Sequence, residues 1–397
     1  MKAVVWHDVG DIRVEDVEEP TLQQPTDAIV RLVASAICGT DLHMIRGSMI
    51  GMRPGTILGH EGVGIVEQVG KDVRNLSPGD RVVIPSTIGC GFCSYCRDGY
   101  TAQCDVVNPP GTAFYGGPNT AGSFQGLQAD KARIPYAGFN CVKVPDDISN
   151  EQAILLSDIF PTGYFGADLA DMKPGHTVAV FGCGPVGQFA IASLKLMDAG
   201  RIFAVDSVPS RLEMARRQGA EVVNFEEEDP VETIRRLTGG IGVDRAIDAV
   251  GVDAKRPQRG PATEHVNAAQ MDAQSQQVHS QRPEEAQWES GDAPTLVQEW
   301  AVAALAKAGT LAIIGVYPPQ DAYFPIGKAL NKNLTIRMGN CNHHKYIARL
   351  ITLVRAGAID PTLVLTEVKP LADAVEAYQS FDRREPGWLK VELVPSA

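Results

Sequence analysis

The sequence predicts an α/β protein with two unlike parts, a β-rich first domain and a doubly wound parallel sheet. Three observations carry this. Residues 1–150 read as short strands separated by Gly- and Pro-rich turns, from KAVVW through AIVRLVASAI, GVGIVEQVG, DRVVIP and ADKARIP to CVKVP. From about residue 160, apolar strands alternate with helix-length segments. A glycine-rich turn, GCGPVG, lies where one such strand meets one such helix.

Strand TVAVFG leads into helix PVGQFAIASLKLM, and strand RIFAVD leads into helix SRLEMARRQG. Strand VDRAIDAV follows, and then the regularity fails over about 252–297, a Gln-, Pro- and charge-rich stretch read as a long surface excursion. The pattern resumes with helix TLVQEWAVAALAKAG and strands TLAIIGVY and LTIRMG. Helices KYIARLITLVRAG and LADAVEAYQSFDRR and strand WLKVEL close the chain and are assigned back to the first domain. The expected organisation is therefore 1–159, 160–338 with the insertion, and 339–397.

The chain has 397 residues, 44% of them hydrophobic, with a formal net charge of −12 and no concentrated Lys/Arg run, so it offers nothing to neutralise a nucleic-acid backbone or an anionic membrane. No apolar stretch approaches the roughly 20 residues of a membrane span. The N-terminus alternates apolar and polar residues and turns acidic at once, unlike a signal peptide. A cytoplasmic location is expected. Thiols stay reduced there, which favours metal binding over disulfides for clustered cysteines.

Cys90, Cys93, Cys96 and Cys104 form such a cluster. Four thiolates from one loop can enclose Zn²⁺ tetrahedrally and leave no position for substrate, so this site reads as structural. The plainer alternatives are four reduced thiols or a redox pair, but a redox CxxC belongs at a strand-to-helix turn of another fold. A second constellation is dispersed, with CGTDLH supplying Cys38, Thr40, Asp41 and His43, and GHEGVG supplying His60 and Glu61. One thiolate and one imidazole make half a zinc site, which becomes catalytic with a third ligand and a vacant fourth position.

In GCGPVG, Gly182 allows a tight turn, Gly184 lets a pyrophosphate approach backbone N–H groups, and Gly187 permits close helix–strand packing, with Pro185 and Val186 opening the helix. Asp206 ends the next strand, where it can accept ribose hydroxyls and would repel a 2′-phosphate, favouring NAD over NADP.

Together these motifs resemble the zinc-dependent alcohol dehydrogenases of the medium-chain dehydrogenase/reductase superfamily, over nearly the whole chain. The resemblance implies a GroES-like catalytic domain with a structural zinc lobe at 90–104, a Rossmann coenzyme domain, two zincs per chain and NAD. It places the third catalytic zinc ligand at Asp158, ahead of Thr162-Gly163 in SDIFPTGY, although Asp158 could instead cap a helix starting at Ile159. Glu61 is either a fourth-side ligand exchanging with substrate or an orienting neighbour. Thr162, Arg211 and Val316 match cofactor contacts, Arg211 being otherwise a solvated helix charge. Thr40 and His43 match a proton relay through the nicotinamide ribose, His43 being otherwise a surface histidine.

The implied reaction is hydride transfer from an alcohol, acidified by Lewis-acidic zinc, to the nicotinamide. SDIFPTGY, IPYAGFN and the excursion after DAVG resemble the glutathione-independent formaldehyde dehydrogenase branch, in which the excursion covers the adenine end of the cofactor. Ser86 stands where many members have an aromatic wall, which implies room for larger substrates. The expected substrate is a small alcohol or aldehyde, formaldehyde or a broad range of primary alcohols. The alternatives are secondary alcohols or polyols, and, from another class, a zinc-stabilised dinucleotide binder without catalysis. A homotetramer or homodimer paired through the coenzyme domain is also implied.

Overall fold

The computed structural model describes residues 1–278 and 288–396. They form two compact units, the first made of Met1–Pro161, 288–289 and 340–396, the second of 162–278 and 290–339.

The first unit holds a seven-stranded sheet ordered Glu367–Pro370, Val391–Val394, Ala28–Ile37, Gly62–Val69, Arg81–Ile84 and Val142–Lys143, with Lys131–Ile134 also pairing Ala28–Ile37. A separate three-stranded sheet joins Asp11–Asp16, Lys2–Asp8 and Thr56–Ile57. Ala28–Ile37 is the hub because its residues are buried along almost the whole strand, as a β-branched run covered on both faces should be. Its pairing with Gly62–Val69 shifts register twice, and such bulges bend a strand and re-aim its side chains. Cys38 follows this strand directly and caps helix Gly39–Ile45, so the end of the hub delivers the first candidate ligand.

The second unit is a six-stranded, fully parallel sheet ordered Glu221–Asn224, Arg201–Asp206, Thr177–Phe181, Val243–Asp248, Leu305–Ile313, Thr335–Met338. In order along the chain this is the doubly wound 3-2-1-4-5-6 arrangement. Phe181, Phe203, Leu311 and Trp300 lie in its buried core.

Two expectations change here. The AKAG segment, read as the end of a helix, belongs to strand Leu305–Ile313, and the helix stops at Ala304. Leu305 already pairs with Val243, and Ala308 adopts a left-handed φ of 59° at the register shift before Thr310. Sheet pairing therefore overrides the alanine-rich helical preference. The excursion is also no simple surface strand of coil. It contains helix Ala268–Val278, and Ala254, Ala262, Met271 and Ala293 are buried in the coenzyme core. Trp288, by contrast, is buried in the core of the first unit, with its indole N–H donating to the Gly10 carbonyl at 2.9 Å. The middle of the excursion, 279–287, lies outside the described residues.

Candidate active site

Cys38, His60, Glu61 and Asp158 lie in the first unit, all buried, with ligand-capable atoms within 4.8 Å of one another. Asp158 Oδ2 is 3.6 Å from Cys38 Sγ and 3.3 Å from His60 Nε2. A tetrahedron with ordinary Zn–S, Zn–O and Zn–N bonds has S···O and N···O edges of about 3.5 and about 3.3 Å. The donor set therefore fits zinc in both chemistry and spacing. Asp158 directs its carboxylate at Cys38, His60 and His343.

The electrostatics are those of a site made for a cation. Burial pushes the Cys38 thiol up, so a nearby divalent ion is what makes its thiolate accessible. Burial works to lower His60, but Asp41, Cys38 and Asp158 together hold it well above the ordinary imidazole range. Protons and metal thus compete for His60 Nε2. For Asp158, burial is outweighed by hydrogen bonds from His343 and His60, which keep it well below the carboxylate range.

Each ligand has a supporting partner. His60 Nδ1 contacts Asp41 Oδ1 at 3.1 Å, and Asp41 Oδ2 accepts the Cys38 N–H at 2.9 Å, so one carboxylate braces two ligands. Glu61 is paired with the fully buried Lys390, whose ammonium also donates to the Ile37 carbonyl at 2.9 Å. Burial raises the Glu61 carboxyl to about 7 even with Lys390 beside it. Its Oε2 has no hydrogen-bond partner among the described residues. Asp41, Lys390 and His343 are the functional neighbours that the motif reading did not assign.

Of the relay pair, Thr40 Oγ1 is 3.8 Å from Cys38 Sγ. His43 is buried, which removes the surface-histidine alternative, and its Nδ1 lies 3.1 Å from Ser48 Oγ. Ser86 is buried beside Ser157, to whose carbonyl its N–H donates at 3.2 Å. Phe114 meets the His60 ring edge-on, with centroids 6.1 Å apart.

The four-cysteine lobe is a second ligand cluster in the same unit. Cys93 Sγ and Cys104 Sγ are 3.9 Å apart, close to the edge of about 3.8 Å for a tetrahedron of Zn–S bonds. Backbone N–H groups of Cys90, Phe92, Cys93 and Cys96 point at thiol sulfurs at 3.3–3.5 Å. Such donors, with neighbouring thiols, bring Cys93 down to about 7 against the effect of burial.

In the second unit, Gly182 takes φ 88° in the turn, and a Cβ at Gly187 would collide with the Gly182 carbonyl. Gly184 caps helix Pro185–Leu196, with Pro185 at its first position and Val186 next, the kind of helix start whose N–H groups can receive a phosphate. Asp206 accepts N–H bonds from Cys183 (2.7 Å), Ser207 (2.7 Å) and Val208 (2.9 Å), tying the glycine turn to the strand that bears it. Arg211 leans toward Gly184, its Nη1 3.9 Å from where a Cβ there would lie. The Val316 carbonyl accepts the Val252 N–H at 2.9 Å, and Thr162 lies within helix Ile159–Leu169.

A parallel dinucleotide sheet and a unit with one closed and one open zinc-capable cluster define a metal-dependent nicotinamide oxidoreductase. Comparison makes this specific. The alcohol dehydrogenase GroES-like domain family matches residues 24–146, and the zinc-binding dehydrogenase family matches 185–258. An uncharacterised zinc-type alcohol dehydrogenase-like protein of Bacillus subtilis is 36% identical over 100% of both chains. The glutathione-independent formaldehyde dehydrogenase of Pseudomonas aeruginosa is 32% identical, over 97% of this chain and 96% of that one. Among solved structures, an alcohol dehydrogenase from Thermus sp. ATN1 superimposes with a TM-score of 0.81 at 35% identity, covering 100% of both chains. The chain belongs to the zinc-dependent alcohol dehydrogenases of the medium-chain superfamily, with two zinc sites per chain and a nicotinamide dinucleotide as its cofactors.

Proposed function

We propose that the protein oxidises small primary alcohols, and reduces the corresponding aldehydes, with formaldehyde-type substrates included. The observation that carries this is Phe114 standing edge-on to the His60 imidazole, an aromatic wall supplied from a different part of the chain from the position Ser86 occupies. Such a wall beside the ligand set favours short, unbranched substrates. The likeness to the Pseudomonas aeruginosa formaldehyde dehydrogenase supports the same substrate class.

In this reading Cys38, His60 and Asp158 hold the catalytic zinc, which when bound supplies Lewis-acid polarisation of the substrate oxygen. Asp41 fixes the His60 ring, and Lys390 draws one oxygen of Glu61 aside so that this carboxylate does not fill the substrate position. Thr40 and His43 would serve as the proton relay, the Thr40 hydroxyl taking the alcohol proton and the His43 imidazole, oriented by Ser48, being the group of suitable basicity to hold it. Cys90, Cys93, Cys96 and Cys104 hold the structural zinc. Gly182, Gly184 and Gly187, with Pro185 and Val186, receive the pyrophosphate. Asp206 selects NAD over NADP by repelling a 2′-phosphate, Arg211 sits at the adenosine side, and Thr162 and Val316 contact the nicotinamide end.

A zinc–thiolate lobe suits the reducing cytoplasm. No helix among the described residues is long and apolar enough to cross a membrane. Strand Thr335–Met338 is an edge of the parallel sheet, with Met338 63% exposed and Leu330 73% exposed nearby, which supports edge-to-edge pairing of two copies in a homodimer or homotetramer.

The test is a steady-state screen of primary, secondary and vicinal-diol alcohols and of aldehydes with NAD and NADP. The expected result is highest kcat/KM for short primary substrates with NAD. A preference for secondary alcohols or diols would replace this reading with the polyol alternative.

A further inference from the structure

His343 is the most deeply placed group near the ligand cluster that the reading above leaves without a task. It is 2% exposed, and its Nε2 lies 2.7 Å from Asp158 Oδ1. That oxygen is the one turned away from the metal position, since Oδ2 is the oxygen that approaches Cys38 and His60. An ionised carboxylate only accepts, so Nε2 must carry the proton. Nδ1 of the neutral ring is then an acceptor, and the Thr87 hydroxyl, 3.0 Å away, is placed to donate to it. The hydroxyl has one proton to give, and its alternative acceptor, the Cys341 carbonyl, is the more distant at 3.4 Å.

The segment carrying His343 is itself pinned. Asn342 Oδ1 accepts the Ala102 N–H at 3.0 Å, within the four-cysteine lobe. The His344 ring stacks on Phe139 at 3.9 Å, and its Nε2 lies 3.2 Å from Asn140 Oδ1. His343 therefore sits at the first position of helix His343–Arg355 with little freedom to turn.

We infer that His343 is a positioning residue that keeps Asp158 a one-oxygen ligand, so that the third protein ligand does not take the position the substrate needs. The chemical reason is specific to aspartate at this place. A thiolate or imidazole offers one donor atom, whereas a carboxylate offers two and can close around zinc in bidentate fashion, raising the coordination number. A strong N–H donor on Oδ1 occupies that oxygen's lone pairs and fixes the rotation of the carboxylate, as outer partners do for metal ligands generally. The inference rests on Asp158 being a zinc ligand.

The experiment compares zinc-loaded wild type with His343→Leu, His343→Asn and His343→Gln. Leucine removes the donor, asparagine is too short to reach Asp158, and glutamine can restore an N–H at similar reach. Two readouts are taken, the number of Asp158 oxygens on zinc in crystal structures, and zinc retention in competition with a chelator at each site separately. Expected are one oxygen in the wild type and in His343→Gln, two in His343→Leu and His343→Asn, and zinc held about 10–100-fold less well at this site in the latter two. Zinc in the four-cysteine lobe should be unaffected in all four proteins. A single-oxygen Asp158 in either donor-free variant, whatever its zinc retention, or a two-oxygen Asp158 in the wild type, overturns the inference. Should His343→Leu fail to fold, His343→Asn carries the same decision. A wild-type structure in which Asp158 is not on zinc at all would instead remove the ligand assignment itself.

Discussion

The two metal centres of the first unit are built on opposite plans. In the lobe, Cys90, Cys93, Cys96 and Cys104 come from one short loop, and the backbone of that same loop supplies N–H groups to the sulfurs. At the other centre, Cys38 and Asp158 are 120 residues apart, and the histidine bracing Asp158 is a further 185 residues on. Four equivalent thiolates close a site and make it inert. Three unlike ligands, two braced by the buried Asp41 and one by the distant His343, are the kind of set that leaves a place for substrate at fixed geometry. The open site therefore depends on the whole unit being folded, and the closed one on little more than its own loop.

That contrast can be pressed with three substitutions. The largest effect is expected for Asp158→Ala. Lewis-acid polarisation is worth several kcal/mol, so kcat/KM should fall by about 10³-fold or more, measured per folded molecule with the lobe intact. Next is Lys390→Met, which strands the buried Glu61 carboxylate. Breaking such a pair costs about 3–5 kcal/mol, read as a shift of the urea midpoint, and adding Glu61→Gln should recover part of it. Equal stability of wild type and Lys390→Met would show that the open site does not lean on its buried charges.

The smallest effect concerns Glu392, on strand Val391–Val394, which directly follows Lys390. Burial, with Glu151 adding repulsion, raises its carboxyl from the ordinary 4.5 to about 7. The native state then binds more protons than the unfolded chain between those two values, so this group's contribution to stability falls as pH rises through the window. Glu392→Gln should therefore stabilise at pH 8 by about 1–3 kcal/mol and change little at pH 4.5. Thermal melting at both values checks it, and a pH-independent effect would refute it.

Local signals were readable from sequence, and long-range ones were not. The four-cysteine spacing, the GCGPVG turn and strand RIFAVD are contiguous, and each appears where its pattern puts it. AKAG was misread because a pairing with Val243, far away in sequence, decides its conformation. His343 lies just ahead of the predicted helix KYIARLITLVRAG and carries no motif of its own, the one local signal being two adjacent histidines in a chain with 8. Lys390 sits in WLKVEL, where alternation marks a strand but says nothing of a carboxylate 329 residues earlier. Asp41 was in view within CGTDLH, and only the fold shows it touching His60.

The central claim is one closed and one open zinc site in the same chain. It is tested most directly by counting zinc in three purified proteins after identical chelator exposure. The account predicts two zincs per chain in the wild type, one in Asp158→Ala with activity lost, and one in Cys93→Ser with melting lowered more than turnover per folded molecule. Two zincs retained in Asp158→Ala, or Cys93→Ser abolishing chemistry while leaving melting unchanged, would contradict it.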